Sequence, residues 1–322
     1  MSFFSILRKK SLVLIFIVII FYSLFALFSD INDLIIHFEK INYFLIPLIL
    51  LSTITGLFVK SVRQYFLLKQ VKIEISFKEN LILYFAGLSL LSVPFGMGGI
   101  IKSHFLFKNF NQPISKTTPV IFIERFHDAI AMYSIIVIFV LISNFDMLNT
   151  PLTIIGFVII FFLLILKNHN FTHKMISKLI KIKFLKLSEQ NTTYFYDSTS
   201  LLSKNKILIS SWLIGLLGWI FDAIAVYLSF IALGLNLDFF IASIIGFSSI
   251  LFGSISFIPG GIGITELSFV QILSLYGIKF SLTTALIIFI RLTGIWFSTL
   301  LDFLHYDLYK NKFLFLIFQH IF

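Results

Sequence analysis

Two arginines stand inside apolar runs, and their surroundings repeat. Arg125 ends the stretch S-K-T-T-P-V-I-F-I-E-R (115–125), and Arg291 ends S-L-T-T-A-L-I-I-F-I-R (281–291). Ser115, Thr117, Thr118, Ile121, Ile123 and Arg125 align with Ser281, Thr283, Thr284, Ile287, Phe289 and Arg291, five of the six being identities. A guanidinium offers five N–H donors in a planar fork that suits phosphate or carboxylate. Each arginine lies about ten residues past the polar start of its helix, which is about 15 Å of rise and close to a bilayer midplane. An arginine there costs at least about 2.5–3.5 kcal/mol on insertion scales, so it is expected to have a partner and often a function.

A second repeated feature precedes each arginine. The turn S-V-P-F-G-M-G-G-I-I-K (92–102) matches F-I-P-G-G-I-G-I-T-E (257–266), with Pro94, Gly96 and Gly98 aligned on Pro259, Gly261 and Gly263. Proline removes a donor and stops a helix, and glycine allows a tight reversal. Non-helical backbone at membrane depth is tolerated only where protein or a wet cavity surrounds it. The helix restarting near Ile264 is expected to aim its free N–H groups at whatever occupies the turn. The two turns and the two arginines thus propose a phosphate or other anion site built from Gly96, Gly98, Gly261, Gly263, Arg125 and Arg291, with Pro94 and Pro259 shaping the turns.

The remaining buried charges have two readings each. Glu266, directly after the second turn, is either a substrate contact or a partner for Arg291; Asp222, midway along an apolar run, competes for that second role, and Asp128 follows Arg125 by one turn. Lys102 either completes the anion site or is an ordinary cytoplasmic lysine. His127, Asp222 and Asp128 could couple transport to protons or ions, although His127 also reads as a helix-packing residue, with Glu266 a further possible proton carrier. Trp212, Trp219 and Trp296 read as interface or packing residues.

The elements that must position these groups follow from composition. The chain of 322 residues is 58% hydrophobic and 12% charged, with a mean hydropathy of +1.01, which excludes an ordinary soluble globule. Uncharged stretches at 11–29, 41–59, 80–101 and 147–166 are long enough, or nearly so, to cross about 30 Å of hydrocarbon. No cysteine is present, so disulfides, thiolate chemistry and cysteine metal sites are excluded. No metal cluster, nucleotide-binding loop, H-E-x-x-H or G-x-S-x-G motif occurs, and neither a cofactor nor an enzymatic activity is expected. The net charge of +10 suits cytoplasmic loops facing anionic headgroups better than nucleic acid, for which no basic face is interleaved with aromatics.

Lysine placement sets the expected topology. Basic clusters fall at 8–10, 60–78, 102–116, 167–206 and 310–312. All of them reach the cytoplasm only if 80–110 enters and leaves from that side while 239–277 enters and leaves from the other. The expected fold is an all-α polytopic membrane protein of about six spanning helices (11–29, 41–62, 115–145, 149–167, 206–234 and 281–304) plus two re-entrant helical hairpins. Both termini are then cytoplasmic, at the cytoplasmic membrane. The chain reads as one membrane domain, 1–322, with internal inverted repeats at about 41–145 and 206–304 and a basic cytoplasmic linker at 168–205 carrying an amphipathic helix. Inverted repeats with broken helices at the midplane are characteristic of secondary transporters.

The ordered motifs S-V-R-Q-Y-F-L-L (61–68), P-F-G-M-G-G-I-I-K (94–102), E-R-F-H-D (124–128) and P-G-G-I-G-I-T-E (259–266), followed by Arg291, resemble the lysylphosphatidylglycerol synthase transmembrane region, a flippase-like domain, over residues 10–305. That family commonly carries P-x-x-x-G-E-x-x-K at the first turn, where this chain has Gly99 in place of the glutamate. Relatives fused to an aminoacyl-transferase domain make and translocate aminoacylated phosphatidylglycerol; stand-alone relatives serve envelope pathways with polyprenyl-phosphate or glycolipid carriers. The resemblance therefore implies translocation of an anionic-headgroup lipid, either a polyprenyl-phosphate-linked glycolipid or an aminoacyl-phospholipid, without synthesis. The alternative is a non-transporting membrane subunit that scaffolds a glycosyltransferase or lipid-modifying enzyme. The expected partners are thus a membrane lipid and, in the alternative, such an enzyme.

Overall fold

The computed structural model describes residues 22–23, 25–88, 98–143, 149–167, 189–256, 258–298 and 301. The described residues are helical, with no strand among them. A short helix α1 (Ile31–Glu39) is started by Asp30, whose side chain accepts from the Asn32 N–H. A single 3-10 turn then leads into α2 (Ile46–Gln70). Helices α3 (Phe77–Leu88), α4 (Gly98–Phe110), α5 (Ile114–Ser143) and α6 (Asn149–Lys167) follow. After α7 (Glu189–Leu202) come α8 (Asn205–Ala232), α9 (Phe239–Ile255), α10 (Ile264–Leu275) and α11 (Phe280–Arg291), the last running on into a π-helical segment at Leu292–Trp296. Among the described residues three helices, Tyr43–Gln70 with its leading turn, α5 and α8, are long and apolar enough to cross a membrane.

The chain divides into two compact units. Unit 1 holds residues 1–54, 85–98 and 222–322; unit 2 holds 55–84 and 99–221. In unit 1, α9 packs along α10, α10 against α11, and α11 against α1. In unit 2, α5 packs on both α6 and α7. The apolar residues that look outward, such as Phe44, Phe157 and Leu164, are what a lipid-facing surface requires.

The expected helices at 115–145, 149–167 and 206–234 match α5, α6 and α8 to within two residues at each end. The second hairpin is α9, a 3-10 turn at Pro259–Gly261 and α10, as its proline and glycines demand. The stretch expected to form the first hairpin holds α3 and α4; its turn, with Pro94 and Gly96, lies outside the described residues, as do the expected first span up to residue 21 and most of the linker. Two expectations differ from the structure. Helix α2 does not stop at 62 but continues to Gln70, so Lys60 and Arg63 are helical and buried instead of belonging to a cytoplasmic loop. Within the 168–205 linker, α7 packs against α5 and buries Ser198 and Leu202, so it is part of unit 2's packing and not a free helix on headgroups.

Candidate functional site

Each unit carries its own buried charge cluster. In unit 1 the cluster explains the glycine-rich turn. Gly260, Gly261 and Gly263 all have positive φ, at 61°, 65° and 90°, a region closed to most side chains. A Cβ on Gly261 would lie 2.6 Å from Thr265 Oγ1 and 3.0 Å from the Cα of Gly253, so the turn sits hard against α9. Gly263 is the N-cap of α10 and Glu266 its third helical residue. The Gly263 N–H donates to Glu266 Oε2 at 2.7 Å, which is half a capping box, glycine having no side chain to complete it.

The other carboxylate oxygen is equally occupied. Glu266 Oε1 accepts from Arg291 Nη2 at 2.6 Å, Arg291 Nε at 2.9 Å and the Tyr22 hydroxyl at 2.6 Å. Arg291 Nη1 donates to the Gly260 carbonyl at 2.9 Å, so the guanidinium ties both sides of the turn to the end of α11. Tyr22 is itself wedged edge-on against Trp296 in the π-helical segment. Glu266 is fully buried and the Arg291 side chain only 12% exposed. Of the two carboxylates offered to Arg291 by the sequence, Glu266 takes it; Asp222 lies half-buried on α8. The N-cap N–H of α10 is therefore taken by the chain's own carboxylate. The expectation of free N–H groups aimed at a ligand concerns α10 from Ile264 on; the Gly263 N–H just before it has an internal acceptor.

In unit 2, α2 presents Lys60, Arg63 and Gln64 on one face, all at most 6% exposed, and the buried Leu67, Leu68 and Val71 continue that face. Helix α5 presents Glu124, His127 and Asp128 in the same way, one helical turn apart. Room for the long basic side chains comes from glycines on α8. A Cβ at Gly215 would stand 2.5 Å from Arg63 Nη1, and one at Gly218 would stand 2.8 Å from Lys60 Cγ.

Two linked groups result. In the first, Lys102 on α4 donates to Gln64 Oε1 and, at 3.3 Å, to Glu124 Oε2. Gln64 Nε2 donates to Asn80 Oδ1, and Asn80 Nδ2 to the Ser61 carbonyl, so the pair is anchored through α2 and α3. In the second, Asp128 Oδ1 accepts from Arg63 Nη2 at 2.7 Å and from Trp219 Nε1 at 3.0 Å, while Oδ2 lies 3.5 Å from Arg125 Nη1. Lys60 Nζ sits 3.4 Å over the Trp219 ring. His127 Nδ1 lies 2.8 Å from Ser211 Oγ and packs α5 against α8.

Arg125 and Arg291, equivalent in sequence, are unequal in place. Arg291 is enclosed; the Arg125 side chain is 44% exposed on a helix whose neighbouring surface residues, such as Phe122, are apolar. Gly98 starts α4, and Lys102 lies one turn along it, buried in an ion pair instead of standing free in a loop. Sequence reasoning missed Arg63, Gln64, Glu124 and Tyr22 as members of these clusters and read Trp219 as an interface or packing residue. The usable signal was the helical spacing of Lys60, Arg63 and Gln64 continuing into Leu67 and Leu68. Among the described residues, no group of three or more metal-ligating side chains gathers.

Two comparisons with known proteins agree with this architecture. A family model described as the lysylphosphatidylglycerol synthase TM region matches residues 12–301. A UPF0104 membrane protein of Methanocaldococcus jannaschii is 31% identical over 212 residues, covering 65% of this chain and 88% of its own length.

Proposed function

From the premise that the chain belongs to the lysylphosphatidylglycerol synthase TM region family of membrane domains, we propose that it carries a lipid with an anionic headgroup from one leaflet of the bilayer to the other. The observation that carries this reading is the half-exposed side chain of Arg125 on a helix of 30 residues. Such a helix is about 45 Å long, and Arg125 lies about 16 Å from its start. Sharing its one carboxylate, Asp128, with Arg63, a charge at that depth is costly unless a further anion visits it. A phosphate headgroup supplies that anion while its tails stay in hydrocarbon.

The order of elements supports an inverted-repeat mechanism. A long helix, two short helices and a further helix occur as α2, α3, α4 and α5 and again as α8, α9, α10 and α11. In this reading the two short-helix pairs are re-entrant hairpins opening to opposite sides, both termini are cytoplasmic, the membrane is the cytoplasmic one, and the halves rock in alternation.

The test is reconstitution into vesicles containing a trace of headgroup-labelled phosphatidylglycerol. Addition of a membrane-impermeant quencher should bleach more than the outer-leaflet share in vesicles carrying the protein. Bleaching equal to that of empty vesicles, with correctly folded protein inserted, refutes the reading.

A further inference from the structure

The two units put charge together differently, and the difference bears on their roles. In unit 1 one carboxylate meets one guanidinium. Every Glu266 oxygen is engaged, and Arg291 spends its donors on Glu266 and the Gly260 carbonyl. The pair is neutral, nearly sealed and complete without a ligand.

Unit 2 has the opposite balance. A single carboxylate, Asp128, serves two guanidiniums, Arg63 and Arg125, while Glu124 is taken by Lys102. Among the described residues, the buried carboxylates of unit 2 are Glu124 and Asp128. Even with Lys60 set aside, three cations face two carboxylates. Hydrogen bonds inside the cluster do not relieve the surplus, since Arg63 Nε and Nη1 are buried without an acceptor and Glu124 Oε1 without a donor. Arg63 takes the closer contact to Asp128, 2.7 Å against 3.5 Å, and is wholly buried. The uncompensated charge therefore surfaces at Arg125, the one member that is half-exposed. Asp128, pinned by Arg63 and Trp219 through Oδ1, meets Arg125 through Oδ2 at Nη1 alone, and the Arg125 side chain stays 44% exposed.

We propose, building on the translocation reading above, that the lipid's phosphate is bound by unit 2 alone, with Arg125 as its ligand-binding residue, and that Arg291 and Glu266 are an internal brace which substitutes a resident carboxylate for a bound anion. The ligand class is a phosphate group carried on a lipid, and the charge surplus is what selects it over zwitterionic lipid.

The experiment measures retention of phosphatidylglycerol over phosphatidylcholine by the purified full chain from mixed vesicles. It compares the wild type with Arg125→Gln and with the double variant Glu266→Gln/Arg291→Gln, which removes both charges of the brace together. Only monodisperse protein is scored. Arg125→Gln should lower the preference about tenfold, the value of one charge-assisted contact, and the double variant should stay within about twofold of wild type. A double variant that loses the preference as fully as Arg125→Gln overturns the one-sided site while leaving translocation of an anionic lipid standing. A wild type with no preference overturns that underlying reading itself. In a third arm, inorganic phosphate at millimolar concentration should fail to displace the lipid; displacement would overturn the lipid as the source of the phosphate.

Discussion

Replacing Glu266 by alanine would remove the acceptor for four donors at once: the Gly263 N–H, two arms of Arg291 and the Tyr22 hydroxyl. Breaking a buried ion pair by deleting one partner costs about 3–5 kcal/mol, because the surviving charge is left uncompensated. Loss of a helix cap adds about 0.5–2 kcal/mol. The geometry requires these losses to be shared with Arg291, since one side chain cannot be stranded twice. Arg291→Ala alone should also cost about 3–5 kcal/mol, and the double variant should cost less than the two singles together, by about 2 kcal/mol or more. The assay is reversible unfolding in mixed micelles titrated with a denaturing detergent, applied to all four proteins of the cycle. Additivity to within about 0.5 kcal/mol would refute the reasoning, because it would mean that the two side chains do not sense each other.

Lys102→Met should destabilise unit 2 by leaving Glu124 buried without its cation, and adding Glu124→Gln should restore most of the loss; thermal unfolding of the three variants checks this. Gly261→Ala combines a positive φ with a Cβ 2.6 Å from Thr265 Oγ1, so a loss of about 2 kcal/mol or more is expected in the same micellar assay, whereas Gly263→Ala should show the backbone strain alone. The protein has no native cysteine, so single cysteines at the exposed Asn109 and Lys279 report topology cleanly. An impermeant maleimide should label Asn109→Cys from the cytoplasmic side and Lys279→Cys from the other, and same-side labelling would defeat the inverted arrangement.

What could be read from the residues divides along a physical line. Hydropathy and the Pro-Gly punctuation located α5, α6, α8 and the α9–α10 hairpin, because helix length and helix breakers are local properties. The end of α2 was misjudged because Lys60, Arg63 and Lys69 look like a cytoplasmic loop until their neutralisation is known. That neutralisation depends on Asp128, 65 residues away, and on glycines of α8 that make room, neither of which charge counting can see. The role of Glu266 was half legible: a glycine followed three residues later by glutamate is a capping signature, but which cation would share the carboxylate required the packing of α11 on α10. The repeat equated Arg125 with Arg291, and only their surroundings separate an open cation from a closed one.

The Tyr22 hydroxyl, more than two hundred residues from the carboxylate that it meets, has a bearing on synthesis. The contact cannot form until the chain has been made as far as Glu266. Closure of this part of unit 1 is consequently a late event in synthesis, and a chain truncated before residue 266 never makes that hydrogen bond.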